Sequence, residues 1–343
     1  MSTRAGRLAP PFVRRGIGRL RGEVVRATVL GDLQRIARSG RPIVAGPWLG
    51  EVGFEILYWI PFLRWALAEG AIEPGRVTAI SRGGPSSWYA GVAGTYADVF
   101  DVMDADTFRA ANEQRRLEIG EQKQVRGTRL DETIVAAVAR GGDVEVLHPS
   151  LMYRLMRPFW WQHATDTWVF RHQRVAPIRP PALPPAFGVR PGEYVAVKFY
   201  LNDCVEDTVA ARRSTAALTG ALARRLPVVS LTTGLRIDDH DGADAGPGVP
   251  SLAGRVSPRD NLDVQTALVA HARAFVGTYG GFSYLAPLCG VAAVAGYTRA
   301  DGFDPAHLRI ARAVAARLGA PPFELVDLGG VDAEAVADRL VGA

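Results

Sequence analysis

The stretch Ala274-Phe-Val-Gly-Thr-Tyr-Gly-Gly-Phe-Ser-Tyr-Leu-Ala-Pro-Leu-Cys-Gly290 decides how this chain is read. An apolar strand ends at Thr278, a turn of small residues follows, and a helix opens near Gly280. Backbone N–H groups in such a turn stand beside the positive end of a helix, a setting that suits a diphosphate. Gly280 and Gly281 let the backbone come close to a ligand. Thr278 and Ser283 would add hydroxyl donors, and Tyr279 lies between them. The plainer alternative is a tight strand–helix turn in which Ser283 only caps the helix.

Outward from this stretch the second half alternates regularly. Strands are expected at 194–200, 227–232, 273–278, 291–296 and 323–327, and helices at 208–225, 260–272, 280–288, 304–318 and 331–341. Asp260 or Asn261 is the natural cap of the 260–272 helix. The first half repeats the theme with shorter pieces: strands at 42–46, 77–81, 97–102 and 144–147, and helices over 54–69 and 131–139. Pro61 should kink or restart the 54–69 helix. Such alternation builds parallel sheets covered on both faces. The fold class is therefore α/β, with two Rossmann-like domains whose parallel sheets face a cleft. Residues 1–41 read as a basic arm, 42–176 as the N-terminal domain, 177–192 with six prolines as a linker, and 193–343 as the C-terminal domain. The last helix either stays there or packs back on the N-terminal domain. The aromatic segment 153–170 reads as packing, with sugar stacking by Trp160 or Trp161 as the sharper alternative.

Charge is distributed unevenly. The chain carries +5 overall, but ten arginines against Glu23 and Asp32 put +8 on the first 41 residues and leave −3 on the other 302. A nearly neutral body argues against a nucleic-acid-binding groove. It points to an arm or helix attracted to an anionic membrane face, since Ile17, Leu20, Val24, Leu30 and Leu33 fall loosely at helical spacing among the arginines of 14–36, or to a solvated tail. The two cysteines, Cys204 and Cys289, have no partner at metal-ligand spacing, so a reducing cytoplasm is expected, with the inner face of the membrane where the arm would take the chain. No apolar run is long enough to span a bilayer. P-loop, nucleophile-elbow and kinase signatures do not appear.

The run from Val276 to Val291 resembles the donor-binding segment of GT-B glycosyltransferases. It is similar to bacterial lipopolysaccharide and heptosyltransferase-type enzymes, and more distantly to protein O-fucosyltransferases, whose arginine-containing donor motif is missing here. Gly46-Pro-Trp-Leu-Gly-Glu-Val-Gly-Phe-Glu-Ile-Leu-Tyr-Trp59 resembles the first strand–loop–helix of the same enzymes, on the acceptor side. The resemblance is dense over about 50 residues of the two halves. It implies a two-lobed enzyme that holds the diphosphate of a nucleotide-sugar on the turn at 278–283.

Other residues fit that chemistry. Only two of the 40 basic residues are lysines, and one, Lys198, closes an apolar strand where a bare cation is costly. There it would neutralise a departing nucleoside diphosphate, in place of a metal; a surface lysine, or one salt-bridged to Asp203 or Glu206, is the plain alternative. Glu51, flanked by glycines, is the candidate base for an acceptor hydroxyl, and His148 is the reserve. Glu55 reads as a carboxylate at a helix start. Thr233, Gly234 and Asp238 would hold the base and ribose. The cluster 238–241 is a weak metal signal, and no metal or bound cofactor is expected beyond the nucleotide-sugar co-substrate. The expected activity is metal-independent, inverting transfer of a sugar to a glycan, glycolipid or other hydroxyl acceptor. A nucleotide-sugar 2-epimerase and a non-catalytic nucleotide-sugar- or glycan-binding protein are the rivals.

Overall fold

The structure, a computed structural model, describes residues 11–121, 123–235, 237, 248–321 and 323–342. Helix α1 (Pro11–Arg38) leads into strand β1 (Ile43–Ala45). A single turn, α2 (Val52–Phe54), passes through a π-helical turn (Glu55–Trp59) into α3 (Ile60–Gly70). Then come β2 (Val77–Ser81), β3 (Thr95–Asp98), α4 (Ala105–Ile119), α5 (Arg129–Ala139), β4 (Glu145–Leu147), α6 (Ser150–Trp160) and α7 (Asp166–Arg171). The second half runs β5 (Val195–Lys198), α8 (Val209–Ala223), β6 (Val228–Ser230), α9 (Asn261–Ala270), β7 (Ala274–Thr278), α10 (Gly281–Leu288), β8 (Ala293–Tyr297), α11 (Pro305–Arg317), β9 (Phe323–Asp327) and α12 (Ala333–Val341).

Two all-parallel sheets result, as expected of an α/β chain of this pattern. The first has the order β3-β2-β1-β4 and the second β6-β5-β7-β8-β9. Every residue of β1, β6 and β7 is buried, because helices cover both faces of each sheet. That is why these strands read as unbroken apolar runs. Pro61 restarts a helix as its ring predicts: it stands in the first turn of α3, after the wider π turn.

Four features correct or complete the sequence reading. The basic segment is not a free arm, since Val29, Leu33 and Ile36 of α1 are buried in the core and the helix lies on α6 and α3. The aromatic segment after β4 forms two helices, α6 and α7. The 260–272 helix is entered through a 3₁₀ turn capped by Ser257, whose hydroxyl accepts from the Asp260 amide; the Asp260 side chain makes no cap. The last helix stays with the second lobe: α12 packs on α8, with Arg224 paired to Glu334 and Arg225 to Asp338.

The apolar core does not stop at the boundary between lobes. One continuous cluster holds Trp48, Trp59 and Trp88 of the first lobe together with Leu262, Phe282, Leu285 and Leu288 of the second. A second tie comes from the loop after β6, whose Leu235 and Ile237 join Val44, Leu49, Ile80 and Phe108 of the first lobe. The expected cleft is thus a packed seam here.

Truncating Leu33 tests whether α1 belongs to the core. Leu33→Ala should lower unfolding free energy by about 2–4 kcal/mol, read as a reduced urea midpoint with unchanged slope. A change below about 0.5 kcal/mol would return α1 to the status of an appendage.

Candidate functional site

Strand order points to one place in each sheet. In open parallel sheets ligands gather outside the carboxyl ends of strands where the order reverses. In the first sheet that point lies between β1 and β4, so it is flanked by the 46–51 loop and by His148. In the second it lies between β5 and β7, flanked by Lys198 and the 278–283 turn; Lys198 pairs in register with Gly277.

These carboxyl edges face one another across the seam. A Cβ added to Gly281 would stand 2.8 Å from the Gly53 amide nitrogen, so α2 and α10 meet backbone to backbone. Beside them the Leu262 amide donates to the Gly83 carbonyl at 2.6 Å, Trp88 Nε1 donates to Thr266 Oγ1 at 3.0 Å, and Arg259 pairs with Asp101.

The turn itself is tightly closed. Thr278 Oγ1 accepts from the Tyr200 amide at 3.0 Å and donates to the Tyr200 carbonyl at 2.8 Å. Ser283 Oγ accepts from the Gly280 amide at 3.1 Å and donates to the Gly280 carbonyl at 2.7 Å. Both hydroxyls were expected to offer hydrogen bonds to a ligand; both are instead engaged in shaping the turn, which is the capping alternative for Ser283. Tyr279 is buried against Tyr284 and Phe303, and its amide donates to Gly296. Gly280 has φ +155°, and a Cβ there would lie 2.0 Å from the Tyr200 hydroxyl. The turn thus offers the amino end of α10, with the Tyr200 ring standing over it.

Lys198 sits beside that helix end. Its ammonium donates to Gln265 Oε1 and lies 3.8 Å from the centre of the Phe282 ring, in the first turn of α10. Gln265 is held in turn by donating to the Asn261 carbonyl and to Asn261 Oδ1, at 3.1 and 2.6 Å. The salt-bridge alternative with Asp203 or Glu206 is not what the side chain adopts.

On the first lobe Glu51 is exposed at the cap position of α2, without a side-chain capping bond. Its loop is braced by Gln124, whose Nε2 donates to the Pro47 carbonyl and whose Oε1 accepts from the Leu49 amide, both at 2.9 Å, and by Arg82 on the Gly50 carbonyl at 2.7 Å. Glu55 does stand at a helix start, as the first residue of the π turn, and it is buried there and accepts from Ser81 and Tyr89, each at 2.6 Å. Burial and this carboxylate push the Tyr89 phenol far up. His148, the reserve base, has its Nδ1 accepting from the Ser150 amide and its Nε2 3.3 Å from Asp131 Oδ1. Thr233 Oγ1 accepts from the Leu235 amide and Gly234 takes φ +71°, both in the loop that crosses to the first lobe. Asp238 and the 238–241 cluster lie outside the described residues.

The packing reading of the aromatic segment holds for Tyr153 and Trp160, which join Phe54 and Tyr58, two residues that sequence reasoning did not link to them, at the seam. Phe54, Tyr58, Tyr153 and Trp160 pack together, with the Lys123 ammonium 5.2 Å from the Trp160 ring. Trp161 is instead 60% exposed beneath Arg157. The Tyr58 hydroxyl and His307 Nδ1 share a hydrogen bond of 2.6 Å, while His307 Nε2 faces Asp304 at 3.3 Å. The Asp304-to-His307 spacing at a helix start was the available signal for that pair.

No family model matches the chain, and no curated protein matches it. Among solved structures it is similar to the E. coli ADP-heptose lipopolysaccharide heptosyltransferase II, with 13% identity, 88% of this chain and 97% of that one covered, and a TM-score of 0.46. It is similar to the M. jannaschii UDP-GlcNAc 2-epimerase in complex with UDP-GlcNAc and UDP, at 10% identity over 88% and 92%, with a TM-score of 0.38. It also matches the iron-containing dodecameric glycosyltransferase TibC of enterotoxigenic E. coli at 13% identity and a TM-score of 0.40; 75% of this chain is covered, but the chain spans only 58% of TibC.

The Tyr58–His307 contact makes the seam sensitive to acid. Burial lowers the His307 pKa from 6.5 to about 4, so the folded protein binds its proton less readily than the unfolded chain. Stability present above the unfolded value is lost as pH falls from about 6.5 toward 4. His172, also lowered to about 4 by burial, acts in the same direction. His307→Gln should therefore reduce, without abolishing, the drop in urea midpoint between pH 7 and pH 5. An undiminished drop would exclude His307 as a contributor.

Proposed function

We propose that this chain is a glycosyltransferase that moves a sugar from a nucleotide-sugar donor to a hydroxyl of a glycan or glycolipid acceptor. The observation that carries the reading is the meeting of two switch points: the reversal in each parallel sheet opens onto the same seam, with a lysine and a helix amino end on one side and an exposed carboxylate on the other. The resemblance of 276–291 and 46–59 to donor-side and acceptor-side segments of GT-B enzymes supports the same division of labour.

In this reading the donor diphosphate rests on the amino end of α10, where aligned peptide dipoles favour negative charge. Lys198 is the second cation at that point. Glu51 accepts the proton of the acceptor hydroxyl. The acceptor oxygen bonds to the anomeric carbon, and the bond from that carbon to the diphosphate breaks, its electrons leaving with the nucleoside diphosphate. Attack from the face opposite the leaving group inverts the anomeric centre. Positive charge supplied by a lysine and a helix end leaves no step that needs a metal. For a donor to reach α10, Tyr200 must swing off Gly280 and the Gly53–Gly281 contact must part, with the proline-rich 177–192 segment as the connection that bends.

The rival readings are a nucleotide-sugar 2-epimerase and a nucleotide-sugar-binding protein without turnover. A thermal-shift screen against UDP, GDP, ADP, CMP and dTDP comes first, since a bound nucleotide raises the melting temperature; no shift with any of them removes the nucleotide reading. Product analysis with the stabilising donor then separates the rest. A new glycosidic product with an acceptor supports transfer, an epimerised sugar without acceptor supports the epimerase, and binding without turnover supports the binding protein. Lys198→Ala should fold with a similar melting temperature and lose at least about 100-fold in transfer rate. Unchanged turnover would remove Lys198 from the chemistry.

A further inference from the structure

We infer that the first half of α1 is a docking surface for an anionic lipid bilayer. The helix has two faces with different occupants. Gly22, Val29, Leu33 and Ile36 are buried, and a Cβ on Gly22 would meet the Trp168 ring at 3.2 Å, so this side is covered by the first lobe along most of its length. Leu20 and Val24 each lie two residues from Gly22, about 160° round the helix from it. They are 70% and 67% exposed, among the most exposed large apolar side chains of the described residues. The same three- and four-residue spacing continues back in the sequence through Ile17 and Val13.

Charge selects the occupant. The first 31 residues carry seven arginines and one acid, Glu23. That carboxylate is drawn to the body, where it accepts from Arg171 at 2.7 Å, and Asp32 further along is paired with Arg154. Exposed Leu20 and Val24 in an arginine-rich segment whose acids pair with the body match the boundary between acyl chains and anionic headgroups. A second copy of the same helix would bring like charges together, so self-association is disfavoured. The lobe set on the bilayer would be the one that the sugar-transfer reading assigns to the acceptor, but the inference rests on α1 alone.

The test is co-sedimentation of the full chain with phosphatidylcholine vesicles and with vesicles that also contain phosphatidylglycerol, with no nucleotide or acceptor present. Binding should prefer the anionic vesicles by at least about tenfold and weaken in high salt. The double variant Leu20→Glu/Val24→Glu should lose about tenfold or more of this binding while keeping its melting temperature, since neither side chain enters the core. Arg19→Glu/Arg21→Glu should reverse the lipid preference. Absence of binding, equal binding to the two vesicle types, or variants that bind like the parent would overturn the inference. So would a concentration-dependent dimer, seen by analytical ultracentrifugation, that Leu20→Glu/Val24→Glu abolishes.

Discussion

The seam depends on the approach of two glycines. Gly53 opens the helical path of the first lobe and Gly281 opens α10 of the second, and no side chain stands between their backbones. That approach lets the carboxyl edges of two parallel sheets meet directly. Everything chemically notable then falls along one line: the exposed carboxylate on the short α2 turn, the aromatic group after it, the amino end of α10, and the lysine on the neighbouring strand. Side chains at either glycine would hold the sheets apart and disperse the set.

Close approach has a counterpart in the way polar groups are satisfied. Thr278, Ser283, Gln124, Gln265 and Asp131 all bind backbone or one another. Such buried networks fix loop shape because leaving any member unmatched is costly. The hydroxyls thereby set the direction of α10, and direction is what makes a helix end useful to an anion. Tyr200 and Phe282 occupy the space that a ligand at this point would take. The sugar-transfer proposal therefore describes a protein whose lobes must part before it works.

Much of the fold was legible in the sequence. The alternation of short, mostly apolar runs with longer amphipathic ones predicts parallel sheets, and the strand at 77–81 has the observed bounds. Pro61 announced its own helix start. The site was legible in position but not in role. Strand ends and glycine turns are local signals, so the placement of Lys198 at a strand end, of Glu51 in a loop and of 278–283 in a strand–helix turn followed from the sequence. Whether a hydroxyl points outward or closes its own turn depends on partners far along the chain, such as Tyr200 for Thr278, and one-dimensional spacing does not carry that. Gln265 was missed for the same reason. The basic segment misled because its arginines outnumber the few residues, Val29, Leu33 and Ile36, that anchor it.

The crossing of Leu235 and Ile237 into the first lobe bears on how the chain behaves as a whole. Each lobe completes the other: one supplies an apolar plug and the other its socket, and the large core is shared between them. Neither half is therefore autonomous in the way that separately exchangeable modules are. A split or shuffled version would carry a hydrophobic wound on both pieces. Two sheets and a proline-rich join suggest modularity on paper, yet the protein is organised as a single cooperative body.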